Sequence, residues 1–251
     1  MIVYEHPLNE RVRTLLRLED LFAKWGLFHK RDEPLDHHVA LLTLFEIIEV
    51  ASRADLKSDL LQELERQKAL LESLRNNPNI SEKALDEILH NIRQAGGRLL
   101  ETVGKIGQHL RENDWLMGIK QRACIPGGVS EFDLPSYHYW LHLPAEARRQ
   151  QLSEWVAPLL PIRDGLDIVL RLLRDSGKTS RQLAASGSFQ QMLSGKIVQL
   201  LRIRLDGEMA CVPEVSANKY AINIRFVSFG ETPRPRTCES DIAFDLTFCS
   251  L

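Results

Sequence analysis

The chain has 251 residues, 44% of them hydrophobic, enough apolar mass for one large core or two small ones. Its 32 Lys and Arg against 34 Asp and Glu leave a formal charge of −2, so the overall basic excess that marks nucleic-acid binders is missing. Cys124, Cys211, Cys238 and Cys249 show no CxxC spacing and read as reduced thiols. "MIVYEHPLNE" has acid and proline where a signal peptide needs an apolar run, and no segment approaches ~18 uninterrupted apolar residues. A cytosolic globular protein with no membrane span is expected.

The N-terminal "IVYE" is β-prone and stops at Pro7. Asn9 can then cap a helix with Val12, Leu15, Leu16 and Phe22 on one face and Arg11, Arg13 and Arg17 mostly on others, punctuated by Gly26 and Pro34. Asp36 is the expected cap of the apolar "HHVALLTLFEIIEVAS", and Asp55 that of "LKSDLLQELERQKALLESLRNN", where Leu56, Leu60, Leu64, Leu71 and Leu74 form a stripe. Asn76-Asn77-Pro78 ends that helix; Ser81 starts the next, which Gly96-Gly97 should terminate. Short helices are expected near 105–111 and over 114–122.

"CIPGGVSEFDLPSYHYWLHLP" (124–144) cannot be helical throughout, and Phe132 and Leu134 alternate with Glu131 and Asp133 as in a half-buried strand. Helices are expected again over 145–156 and 162–175, the second closed by Gly177. The Gly- and Ser-rich "SGKTSRQLAASGSFQQMLSGK" reads as a linker or long loop. Period-two alternation then marks strands at Leu201, Ile203 and Leu205, at Ile222, Ile224 and Phe226, and at Ile242, Phe244, Leu246 and Phe248, with Asp206-Gly207 as a turn. The fold class is α+β, a helical bundle inserted between segments of a small antiparallel β domain. The α-helical domain should comprise residues 8–122 and 136–176, and the β-strand domain residues 1–7, 123–135 and 177–251.

Catalytic signatures are incomplete. "SGKTS" holds the Gly-Lys-Thr of a phosphate loop, but Leu172 stands where the earlier glycine is needed, and a helix precedes it instead of a strand. His138 and His142 have the i, i+4 spacing of metal ligands, yet Tyr139 replaces the general-base Glu of the zinc-protease motif and no third ligand is near in sequence. A metal-dependent enzyme built on these two histidines is therefore the rival reading. A nucleic-acid-associated helical protein is a third, and the acidic balance argues against it. Basic residues do cluster: Arg11, Arg13 and Arg17; Arg111, Lys120 and Arg122 with His138 beyond; and the strand arginines Arg202, Arg204 and Arg225 opposite the apolar alternation. Such groups attract acidic peptides or phosphate through charge-assisted hydrogen bonds.

"YEHPLNERVRTLLRLE" and "IPGGVSEFDLPSYHYWLHLP" together resemble the ZapD family, the Z-ring-associated protein D of bacterial cell division. "LLQELERQ", "KIGQHLRE" and the closing "FDL" fit in the same order, so the resemblance spans nearly the whole chain. It implies a non-enzymatic homodimer without cofactors, cytoplasmic and recruited to midcell. Such a dimer binds the C-terminal tail of the tubulin-like protein FtsZ and bundles its filaments. For tail binding it points to Arg17 in "RTLLRLE" and His138 in "LPSYHYWLHLP", extending to Lys120 and Arg122, with Arg13 and Arg111 beside them. Family members tend to carry a further basic residue where this chain has Asp114 or Trp115, which shifts weight onto Arg111 or Lys120.

Overall fold

The computed structural model describes residues 1–52, 55–75, 77–78, 80–228 and 236–251. The fold is α+β, with helices and antiparallel sheets in two compact units, Met1–Arg13 with Leu170–Leu251, and Thr14–Val169. We call them the β unit and the helical unit.

The helical unit begins within α1 (Glu10–His29), which continues through Gly26. Its N-terminal end is capped as the sequence predicts: Asn9 Oδ1 accepts from the Val12 amide at 2.8 Å. The expected Asp36 cap is displaced. α2 (Pro34–Ala51) starts three residues earlier because Pro34 supplies the first-turn φ, and Asp36 instead accepts from Arg31 at 3.3 Å. α3 (Leu56–Glu72) buries Leu56, Leu60 and Leu64, and Asp55 precedes it without a side-chain cap bond. Its expected stop includes Asn76, which lies outside the described residues.

Gly96 and Gly97 do not end α4 (Glu82–Glu101), which is capped by Ser81. Helical glycine costs roughly 1 kcal/mol relative to alanine. Burial of Leu85, Leu89, Ile92, Ala95 and Leu99 along one stripe outweighs that cost. There follow α5 (Gln108–Arg111), α6 (Asp114–Ala123), α7 (Pro135–Leu141), α8 (Ala145–Val156) and α9 (Leu160–Asp175). The expected strand within 123–135 is absent: the segment forms turns and belongs to the helical unit. The alternation there has no partner strand to hydrogen-bond, and Phe132 stands 82% exposed.

Among the described residues the β unit has two four-stranded antiparallel sheets. In the first, β1 (Ile2–Pro7) pairs β4 (Leu200–Leu205), β4 pairs β8 (Ile242–Cys249), and β8 pairs β2 (Lys178–Ala184). In the second, β6 (Ala221–Ser228) pairs β3 (Ser188–Met192), β5 (Val212–Ala217) and the short β7 (Arg236–Thr237). Leu201, Ile203, Phe244 and Leu246 of one sheet meet Ile222, Ile224 and Phe226 of the other in a common core. The expected linker after Gly177 is in fact two strands, β2 and β3, joined by a tight turn and entering different sheets. Both are sheet edges, exposed over most positions, so they need no apolar alternation to be held.

Candidate peptide-binding site

The turn segment between α6 and α7, the elbow, gathers two of the basic residues singled out above, Arg122 and His138. Its path needs both glycines. Gly127 sits at φ +72°, and a Cβ on Gly128 would lie 2.3 Å from the Arg122 carbonyl oxygen. Pro135 opens α7 in the first-turn position. That places Tyr137 and Trp140 inward and leaves His138 and Tyr139 exposed.

An aromatic cluster fixes the elbow. The Tyr137 and Trp140 rings stack with centroids 5.7 Å apart, and Trp115 of α6 lies 6.2 Å from both. Trp155 of α8 joins at 5.8 Å from Trp115 and 5.9 Å from Trp140. Three of the four rings have their polar edge hydrogen-bonded. Trp115 Nε1 donates to Ser136 Oγ at 3.0 Å, Trp140 Nε1 to Gln151 Oε1 at 2.6 Å, and the Tyr137 hydroxyl bonds His38 Nδ1 at 2.6 Å. Burial pushes the Tyr137 phenol up and holds the His38 imidazole below its ordinary value.

Arg148 of α8 ties the far end of α7 down. It is 4% exposed and donates to the carbonyls of Leu141, Leu143 and Asp32 at 2.6, 2.5 and 2.5 Å and to His37 Nδ1 at 2.8 Å. Desolvation draws the His37 imidazole below its usual range. Sequence reasoning passes over Arg148 and three of these aromatic rings. The available signal is their type: tryptophan and arginine beside prolines at a helix junction.

The predicted cations divide by their partners. Arg122 at the end of α6 faces Asp133 of the elbow at 3.6 Å, and His138 Nε2 lies 3.6 Å from Glu131. These two cations are thus brought to one loop, each loosely held by that loop's own carboxylate. Lys120 points elsewhere and is bound tightly to Glu49 of α2. Arg111 is exposed, donates to the Ile106 carbonyl at 3.1 Å and lines a pocket of about 270 Å3 with Lys57, Lys105 and Asp55. Arg17 is exposed on α1 and has no ion-pair partner among the described residues. Arg13 belongs to the β unit, where its Nε lies 3.3 Å from Glu10.

The three strand arginines do not make one basic face. Arg202 and Arg204 lie on the outer side of the first sheet and Arg225 on that of the second. Arg202 is bound to Glu5, which Arg174 also grips at 2.7 Å, and Arg225 is held by Glu214 at 2.5 Å. Only Arg204 of the three is without an ion pair among the described residues. The alternation that placed these arginines opposite the core could not show that two sheets share it.

His138 and His142 do adjoin, with ring centroids 4.4 Å apart. His142 Nδ1, however, donates to the His138 carbonyl at 2.8 Å. Among the described residues no group of three His, Cys, Asp or Glu side chains is placed to hold a metal ion. No helix among them is long and apolar enough to cross a membrane.

Comparison with known proteins gives one answer. A family model described as ZapD, cell division protein, matches residues 16–225. A protein of Azoarcus sp. (strain BH72) named cell division protein ZapD is 60% identical over 251 residues, covering 100% of both chains. Its namesake in Aromatoleum aromaticum is 61% identical, covering 100% of this chain and 98% of that one, and that of Dechloromonas aromatica is 58% identical over the full length of both.

Proposed function

Because the chain belongs to the ZapD family of cell division proteins, we propose that its role in division is to bind the C-terminal tail of FtsZ and cross-link FtsZ filaments at midcell. The role is one of binding and not of catalysis. The observation that carries it is the state of the cations on the helical unit. Arg17 is exposed and unpaired among the described residues, and Arg122 and His138 are held only at 3.6 Å by exposed or half-exposed acids of the elbow. Charges so loosely held are available to an incoming carboxylate, whereas Lys120, bound to Glu49, contributes chiefly to fixing α6 on α2. The aromatic cluster beneath keeps the elbow's shape while its acids exchange partners.

A single tail site would only decorate a filament. As a twofold homodimer the protein would present two equivalent sites, one for each of two filaments. Many tails along each filament would then convert weak contacts into a stable bundle through effective concentration. The attraction is between partly exposed charges, so it should weaken as salt screens them. The deciding experiment is co-sedimentation with FtsZ filaments with and without their tails. Intact filaments should bundle and tailless ones should not. Arg17→Glu should abolish tail-peptide binding with helix content unchanged. Equal sedimentation with tailless filaments would remove the proposal.

A further inference from the structure

The β unit has a surface that tail binding by helical-unit cations leaves unused. Strands β2 and β3 leave a tight turn at Ser186 and Gly187 (φ 46° and 69°) and then enter different sheets. Each is the last strand of its sheet among the described residues, so its outer edge is open. Away from the turn, where the two strands and the end of β8 diverge, lies a cleft of about 580 Å3.

The floor and walls of this cleft are apolar, with half-buried Phe248 and Val198 beside Met192 and Ile197. Met192 is 62% exposed and Ile197 80%. Water meets these side chains at a cost that a ligand would relieve. Lys178 stands at one side and Lys196 at another, neither with an ion pair among the described residues. Arg174, Arg181, Arg202 and Arg225 of this unit are each matched to a carboxylate, whereas the two lysines at the cleft keep their charge free for a ligand. The turn that presents Lys196 holds Ser194 and Gly195 at φ 48° and 78°. Finally, Gln191 lines the cleft, and its Oε1 is buried without any hydrogen-bond partner. A buried acceptor of that kind has lost water and gained nothing in return.

We infer that this cleft is a second docking site, taking an extended acidic peptide segment of another protein. One aliphatic or aromatic side chain fills the apolar floor against Phe248, carboxylates flanking it face Lys178 and Lys196, and the Gln191 carboxamide, turned outward into the cleft, accepts an N–H of the segment. Charge complementarity selects an acidic partner, and the concave shape selects a side chain over a flat surface. An anionic bilayer would satisfy the lysines but has no side chain to enter the cleft.

The test uses the full-length protein and a fluorescein-labelled probe, acetyl-Asp-Asp-Leu-Phe-Asp-Asp-amide, followed by anisotropy. Wild type should bind it saturably. Lys178→Glu with Lys196→Glu should weaken binding about tenfold or more, as expected for losing two partly exposed charge pairs, and Ile197→Ser about threefold. Lys178→Arg with Lys196→Arg should keep the wild-type affinity. Circular dichroism and melting temperature should match wild type in all three, since every altered side chain is exposed. Unchanged affinity in the charge-reversed variant would overturn the inference, as would the absence of saturable binding. Loss of binding in Arg17→Glu with retention in the lysine variant would place the probe on the helical unit and also overturn it. Lysine-dependent sedimentation with phosphatidylglycerol vesicles, without peptide binding, would replace the peptide by a membrane.

Discussion

Neutralising the elbow's acids should tighten tail binding. In the free protein Asp133 lies 3.6 Å from Arg122, with the two side chains 28% and 50% exposed. Two unit charges at that separation attract by about 1 kcal/mol in bulk water, and pairs this exposed contribute a net ~0.2–1 kcal/mol after side-chain ordering. A tail carboxylate that takes Arg122 must first displace Asp133, so that sum is subtracted from its affinity. Asp133→Asn removes the competitor and should therefore tighten the complex by about 1.4- to 5-fold. Glu131→Gln removes the corresponding acid from beside His138 and should act in the same direction. The double variant should gain more than either single one, with coupling between the two because both acids lie on one loop. A labelled FtsZ tail peptide titrated at low and near-physiological salt reads the change, and the gain should shrink as salt rises. Weaker binding in Asp133→Asn would refute the reasoning. It would mean that the carboxylate positions Arg122 for the tail instead of competing with it.

Arg148→Met should cost about 3–5 kcal/mol in urea unfolding, because three carbonyls and His37 Nδ1 lose a buried charged donor; a loss below about 1 kcal/mol would show those carbonyls reaching water in the native state. Burial holds both His37 and His38 below their ordinary value of 6.5, so the unfolded chain takes up protons that the folded one refuses. Stability should thus be full above that value and fall as pH drops through it. His37→Gln keeps an acceptor for Arg148 and should flatten the decline of the urea midpoint, so parallel profiles would contradict the assignment. Gly107→Ala should cost about 2–4 kcal/mol, since φ is +71° and the new Cβ would lie 2.6 Å from Ile48 Cγ2; a near-neutral melting temperature would show the α5 turn shifting freely.

What the sequence made legible follows from which forces are local. Helix spans with a strong apolar period, such as 162–175, are decided within one element, and the caps at Asn9 and Ser81 within one turn. The period-two strands were equally visible because one face of each is buried in the shared core. The misreadings all need information from elsewhere in the chain. Gly96-Gly97 has the composition of a helix stop, yet packing of Leu99 keeps the helix running. Phe132 and Leu134 alternate like a strand with no neighbouring strand to pair. Conversely, β2 and β3 are polar and Ser-rich, and only the ladders of β8 and β6 make them strands.

The same distinction governs the candidate site. A sequence shows where cations are but not which carboxylate answers each, because the answering residue is usually remote: Glu49 for Lys120, Glu5 for Arg202. Of the residues put forward from charge and resemblance, pairing separates those that fix the fold from those that can exchange partners. Lys120, Arg202 and Arg225 hold carboxylates in close contact and would surrender an existing bond to gain a new one. Arg17 has no such bond to give up among the described residues, and Arg122 and His138 have weak ones. On the proposed function, an acidic ligand would be drawn to these three because they have the least to give up in the free protein. The two lysines of the β-unit cleft qualify by the same criterion, and for that reason the peptide measurements on the two units must be made with both sets of variants.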